Sequence, residues 1–597
     1  MKNLKKLLYF FKSRERKSLI YLSIMILVMA MLDMIGIASI VPFVTVLSDP
    51  SIVETNTFLN SLFNFSKNFG VDDNQKFLFV LGMIVFILLM VSLAFKAITT
   101  YFQLRFVQMC QYRISKRFIE SYLYQSYSWF LNRHSADLGK TILSEVGAIV
   151  KGGINPMIEL VAKGMVSVSL IILLIIVDIK LALTVGLTFS LAYALVYKLI
   201  RNYMRKIGQE SLDFNRSRFE AVTEAFGAAK EIKVSGLEQA YIDRFSIPAR
   251  LYALRQASSQ IIIQLPRYFL EAIAFGGMLL VILYLMSENK NFASILPIIT
   301  LYAFAGYRLI PSLQQIFGSI AHLRFVDASL NSLYKDLKSL HSFDSKKKAN
   351  PLILKKEITL KHINYKYPDA SKMALRDISF TIPNRYSVGI VGATGSGKTT
   401  LVDIMLGLLE AQSGTLEIDG KIITKNNSRS WQQSIGYVPQ NIFLADDTIS
   451  ANIAFGLDPN EVNQEDVEDA AKIANLHDFI IQDLSLNYQT SIGERGVRLS
   501  GGQRQRIGIA RALYHKPQVL IFDEATSALD NRTEKIVMET LHKLRKKITI
   551  VMIAHRLKTV RDCDMILMLE NGELIGHGSY NELLNTNKKF AEMVGKN

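Results

Sequence analysis

Apolar residues come in runs of about 20 through the first 320 positions, the length needed to cross a hydrocarbon layer of roughly 30 Å. These runs predict six membrane spans, near residues 18–48, 76–106, 155–177, 181–200, 266–287 and 292–315. Around "LHSFDSKKKANP" (340–351) the long apolar helices stop and a charged stretch with a proline begins, which reads as a linker. Beyond it, short β-rich runs such as "SVGIVG" and "QVLIFDE" alternate with amphipathic helical segments, the pattern of an α/β domain with a mainly parallel sheet. The expected organisation is an all-α six-helix transmembrane domain over 1–339, a linker over 340–351, and an α/β domain over 352–597.

The chain has 597 residues, half of them hydrophobic, with a formal charge of +17. The basic clusters "RISKR" and "KLIRNYMRK" lie in the long connections 107–154 and 201–264, and the N-terminus "MKNLKKLLYFFKSRERK" is equally basic. By the positive-inside rule these face the cytoplasm, and an even number of spans returns the C-terminus to the same side. Inner-face cationic loops account for the net charge, so nucleic acid is not an expected partner. The first apolar run is longer than a signal-peptide core and no small-residue cleavage site ends it. Cys110 and Cys563 lie far apart, and neither a disulfide framework nor a metal site is indicated.

Candidate chemistry concentrates in the second half. "GATGSGKT" (392–399) follows the strand-like "YSVGIV" and precedes the helix-like "TTLVDIMLGLL", the context a phosphate-binding P-loop requires. Gly392, Ala393, Thr394, Gly395, Ser396 and Gly397 would curl the backbone so that N–H groups face phosphate oxygens. Lys398 would neutralise the β- and γ-phosphates of ATP, and Thr399, followed by Thr400, would offer a hydroxyl to Mg²⁺. "VLIFDEATSALD" reads as a buried strand ending in two carboxylates, at the edge where open α/β sheets place ligands. Asp523 is the candidate Mg²⁺ residue and Glu524 the candidate general base for the attacking water.

Further along, "LSGGQRQR" (499–506) resembles the signature sequence of ATP-binding-cassette (ABC) proteins, and other segments resemble that family's remaining motifs. "YVPQN" with Gln440 is similar to the Q-loop, "SALD" with Asp530 to the D-loop, and "IAHRL" with His555 to the switch histidine. Tyr367, 25 residues before Gly392, matches the aromatic that stacks on adenine. The resemblance implies an α/β P-loop ABC nucleotide-binding domain with Glu524, His555 and Gln440 catalytic, and Thr399, Gln440 and Asp523 around Mg²⁺. It also implies that Ser500, Gly501, Gly502 and Gln503 approach the γ-phosphate held by a second copy, with Asp530 nearby. One such domain per chain implies a half-transporter acting as a homodimer. Six spans ahead of the nucleotide domain, Glu494 in "SIGERG", and "EAFGAAKEIKVSG" where a coupling helix would dock resemble the exporter branch.

Three cations interrupt the spans. Arg308 lies 16 residues inside span six, and Arg267 and Lys96 lie 19 residues inside spans five and two, depths of about 24–28 Å. Buried intramembrane charges usually face a cavity or a partner, although long cationic side chains near the boundary also snorkel to headgroups. Converging in a homodimer, Lys96, Arg267 and Arg308 would line a chamber for an anionic cargo, and arginine grips phosphate bidentately. "PRYFLEAIAF", "YRLIPS" and "IVPFVTVLSD" are similar to segments of the PglK-type flippases of bacterial inner membranes. That implies a polyprenyl-pyrophosphate-linked oligosaccharide as substrate and membrane lipid as the medium. The alternatives are export of drugs, peptides or another lipid such as lipid A, and, from a different class, an ATP-gated membrane sensor. Between spans one and two, Ile52, Phe58, Leu59, Leu62, Phe63 and Phe69 fit either an outer-surface amphipathic helix or a loop packed on the span ends.

Overall fold

The computed structural model describes residues 2–68, 71–177, 179–287, 292–340, 350–368, 370–493, 496–523, 531–554 and 556–595. The chain divides into two compact units, one of residues 1–125 and 132–343, the other of 126–131 and 344–597. The short segment 126–131 had been expected within the membrane half, and it packs instead with the second unit.

Among the described residues of the first unit, three helical stretches are long and apolar enough to cross a membrane: Ser13–Ser48, Asn74–Leu123 and Ala136–Val177. The expected spans four, five and six fall on the helices Ile179–Gly227, Glu238–Ser287 and Phe292–Phe325. The span-three helix packs against those of spans one and six, and span four packs along span five. Met29, Ala30, Val166, Leu170, Leu174, Leu301 and Ala305 form the core of this bundle. On the outside, Leu183, Leu187, Leu191, Leu195 and Leu199 recur every fourth residue, each more than half exposed. A helix whose exposed stripe is all leucine has lipid as its solvent.

Between spans one and two, the helices Ile52–Thr55 and Thr57–Lys67 turn one face inward. Val53 and Leu59 are buried with Val46, Phe77 and Leu81, and Ile52, Leu62 and Phe63 pack against them. This is the packing-on-span-ends arrangement, with Phe58 left exposed on the other face; Phe69 lies outside the described residues. Before span three the helix is interrupted by two π-helical turns, Thr141–Glu145 and Val150–Ile154.

The second unit holds two sheets. Strands β1 (Glu357–Tyr365), β2 (Leu375–Pro383), β4 (Ser413–Ile418) and β5 (Lys421–Ile422) form an antiparallel sheet ordered β2-β1-β4-β5. Strands β3 (Ser387–Val391), β6 (Ile435–Val438), β7 (Val519–Asp523), β8 (Thr549–Ile553), β9 (Met565–Glu570) and β10 (Glu573–Gly578) form the second, ordered β10-β9-β3-β8-β7-β6. Its five strands from β9 to β6 are parallel and β10 runs antiparallel. Every residue of β3, β7 and β8 is buried, as expected of parallel strands covered on both faces.

Candidate functional site

The parallel register gathers the candidate nucleotide residues at one sheet edge. Ile390 of β3 pairs with Ile553 of β8, Ile553 with Asp523 of β7, and Phe522 with Val438 of β6. The P-loop follows β3, Asp523 ends β7, and Gln440 stands two residues beyond β6, so all three share the C-terminal edge where such sheets bind ligands. Glu524, Asp530 and His555 lie outside the described residues, as does Glu494.

The P-loop itself is built by close approach. Gly392 (φ 153°) leaves no room for a side chain, since a Cβ there would stand 2.3 Å from the Leu569 carbonyl oxygen. Gly397 (φ 102°) is in the same position against the Ala374 carbonyl at 2.7 Å. Lys398 opens the helix Lys398–Met405 and is 5% exposed. Its ammonium donates to the carbonyls of Gly392 and Ala393, each at 3.0 Å, which folds the side chain back over the loop. The buried Ser396 hydroxyl has no hydrogen-bond partner, and Ala393, Thr394, Gly395 and Thr399 are exposed. A loop with a folded-over ammonium, an unspent hydroxyl and an open rim fits the triphosphate of ATP. Thr400 is buried, and its hydroxyl is 3.1 Å from that of Tyr367. The expected adenine-stacking ring is thus tied to the P-loop helix.

Asp523 is 6% exposed and accepts a hydrogen bond from the Tyr437 hydroxyl at 3.4 Å. Asp403 on the P-loop helix is 8% exposed; burial first, and then the nearby Asp523, push its pKa up to about 6. Tyr127, on the short helix Tyr127–Leu131 of the second unit, is within electrostatic range of Asp403, Tyr367 and Asp523. Asp403, Tyr437 and Tyr127 were not among the expected residues. Tyr437 sits three residues before Gln440 on the strand the Q-loop follows, and that proximity was the one available signal.

The signature segment forms a different kind of site. Ser500 caps the helix Gly501–Tyr514, its hydroxyl accepting from the Gln503 N–H at 3.2 Å while the Gln503 side chain accepts from the Ser500 N–H at 2.7 Å. Ser500 and Gly501 are exposed and Gly502 is half-buried, so a 14-residue helix presents its positive end outward. Among the described residues no hydrogen bond joins this segment to the P-loop of the same chain.

In the first unit, Arg308 forms an ion pair with Asp33 at 3.9 Å, and the buried Asp33 also accepts from the Ser92 hydroxyl at 2.8 Å. Lys163 is within electrostatic range of Lys96, Glu159, Asp33 and Arg308. Lys96 and Arg308 thus both lie within electrostatic range of Lys163. Arg267 differs: it is exposed and pairs with Glu271 one turn along its own helix at 2.7 Å. The expectation of three unopposed cations per protomer is corrected accordingly. Arg308 pairs with Asp33, and Lys163 lies within electrostatic range of both carboxylates, Asp33 and Glu159, and of Lys96 and Arg308; three cations and two carboxylates leave a formal excess of one positive charge. Lys163 lies 14 residues from Val177, the C-terminal end of span three, about 21 Å along the helix; cations deep within each apolar run were the signal that could have found it.

Fold and site together define a class, a membrane-embedded helical half followed by an ABC-type nucleotide-binding domain. Residues 59–307 match the family model for the ABC transporter transmembrane region, and residues 375–527 match that for the ABC transporter. The chain thus carries both regions of the ABC transporters, transmembrane and nucleotide-binding, in one polypeptide. It is 32% identical over 400 residues to the ATP-dependent lipid A-core flippase of Bordetella avium, a match covering 65% of this chain and 66% of that protein. The corresponding flippase of Saccharophagus degradans is 43% identical over 239 residues, 40% of each chain. The matched stretches thus span less than two thirds of either relative's length. A solved bacterial Atm1-family ABC exporter with ATP bound superposes with a TM-score of 0.79 over 98% of this chain and 99% of its own, at 23% identity.

Proposed function

We propose that the chain is an ATP-driven flippase that moves a phosphorylated glycolipid from the inner to the outer leaflet of a bacterial inner membrane, working as a homodimer with both termini cytoplasmic. The observation that carries this reading is the intramembrane group of charges around the Arg308–Asp33 ion pair, with Lys163 within electrostatic range of both, of Lys96 and of Glu159. Charges at that depth are costly unless they serve a cargo or each other, and here one cation per protomer remains in excess. Two copies would offer a chamber suited to a phosphate group.

Resemblance to the lipid A-core flippases over 400 residues supports a lipid A-type cargo ahead of a polyprenyl-pyrophosphate-linked oligosaccharide. The two share the same chemistry, a phosphate joined to sugar and to long acyl or prenyl chains. In the nucleotide domain, Lys398 would bind the phosphates, and Thr399, Gln440 and Asp523 would hold Mg²⁺, which supplies charge neutralisation of the phosphates when bound. Glu524 and His555 would position and activate the attacking water.

The test is ATP-dependent flipping in proteoliposomes, with labelled lipid A in one set and a labelled polyprenyl-pyrophosphate disaccharide in another. Arg308→Ala and Lys163→Ala should each lower flipping of the preferred lipid at least tenfold. Full flipping by both variants would rule out the anion grip, and flipping of neither lipid by the wild type would rule out the cargo class.

A further inference from the structure

We propose that a second pocket, one tier toward the cytoplasm from the cationic cluster, receives the uncharged sugar of the glycolipid headgroup. This rests on the flippase reading above and assigns its specificity to particular residues. The pocket has a volume of about 320 Å³ and lies in the first unit between the helices of spans three, five and six, within the size range of small-molecule sites. Its polar lining is Glu159, Gln314, Gln315, Ser319 and His322, with Ile263 and Pro311 completing the wall.

Two observations point to a ligand rich in hydroxyls. Ser319 lines the pocket and is 2% exposed, and its buried hydroxyl has no hydrogen-bond partner, a state that is costly unless a rotation about the Cα–Cβ bond lets a ligand in the pocket satisfy it. Both glutamine amides carry donors and acceptors, and the imidazole of His322 offers one of each when neutral. Among the described residues no lysine or arginine lines the pocket, so it is ill-suited to phosphate. Alternating donors and acceptors around a small volume match sugar hydroxyls.

The placement fits a headgroup bound at two tiers. Arg308, Gln315, Ser319 and His322 follow one another on the helix Phe292–Phe325 at spacings of 7, 4 and 3, so they share a face. Gln315 is two turns from Arg308, about 10 Å. Glu159 belongs to both tiers, lining the pocket and lying within range of Lys163. Gly318 keeps the wall thin, since a Cβ there would stand 3.2 Å from Ile263.

The experiment measures ATPase stimulation of the reconstituted full-length protein by two pairs of lipids, one member of each with sugar and one without. These are lipid A with phosphatidic acid, and a polyprenyl-pyrophosphate disaccharide with the bare polyprenyl pyrophosphate. Ser319→Ala removes a hydroxyl that makes no internal bond, so folding is preserved, and Gln315→Ala provides an independent variant on the exposed rim. Each should raise the half-maximal concentration of the sugar-bearing lipid about fivefold, the loss of roughly one hydrogen bond, and leave the sugar-free lipid unchanged. Lys163→Ala should raise both. Equal shifts for both members of a pair, or no shift for either, would overturn the pocket assignment while leaving the flippase reading intact. A wild type that responds to none of the four lipids would overturn both.

Discussion

Asp403 carries a consequence that can be measured apart from transport. Its carboxyl is held at about 6, above the ordinary 3.8, by burial and then by Asp523. The folded protein therefore binds this proton more tightly than the unfolded chain does, and ionising the group costs stability. That cost is absent below about pH 4, grows as pH rises through 6, and is complete above it. In nucleotide-free, Mg²⁺-free protein, Asp403→Asn should raise the melting temperature of the second unit at pH 8, a gain on the order of 3 kcal/mol. At pH 5 the gain should fall to about half. Calorimetry showing the same gain at both pH values would contradict the assignment. This residue was illegible in the sequence, where "LVDIML" reads as a buried helical stretch with one polar position. The P-loop was legible because phosphate binding dictates residue types at fixed spacing. Asp33 and Lys163 were missed for a related reason: a single charge in an apolar run does not reveal its partner, and the pairing emerges only when spans one, two, three and six pack together.

Helices tell a similar story on a larger length scale. Hydropathy placed span two at 76–106, whereas the helix runs from Asn74 to Leu123. Apolar composition ends at the bilayer boundary, but backbone hydrogen bonding continues wherever the next turn can pack. The π-helical turns near Thr141 and Val150 have no periodicity that a 3.6-residue pattern would register. Close packing is also invisible until coordinates place the neighbours. A Cβ at Gly208, on the helix Ile179–Gly227, would stand 2.0 Å from the Phe325 carbonyl oxygen, and backbone atoms there have little freedom to retreat. A Cβ at Gly164, on the span-three helix, would meet nothing within 4 Å. Gly208→Ala should thus destabilise the first unit by about 1–3 kcal/mol, while Gly164→Ala should be neutral or slightly stabilising through its better helix propensity. Detergent-solubilised thermal shift assays on the pair check this, and equal melting temperatures would show that the two helices part without cost.

One chain contains one P-loop and one signature segment, and the exposed, capped end of the signature helix has no partner among the described residues of its own P-loop. The turn between spans four and five presents Phe226 at 78% and Val234 at 81% exposure, an apolar surface of the kind a second copy would cover. If two copies combine, each ATP lies between the P-loop of one and the signature of the other. That geometry makes an asymmetric prediction. Lys398→Ala disables a P-loop; Gly501→Asp places a carboxylate where the γ-phosphate would approach, and a Cβ at Gly501 meets nothing within 4 Å, so the variant folds. In a heterodimer of the two single variants, both lesions fall in the same composite site and the other site is intact. In a heterodimer of the double variant with wild type, each site carries one lesion. Heterodimers isolated through two different affinity tags should therefore retain measurable ATPase in the first arrangement and lose it in the second. If each chain instead completed its own site, the double variant paired with wild type would keep the activity and the two singles would lose it, which is the opposite order.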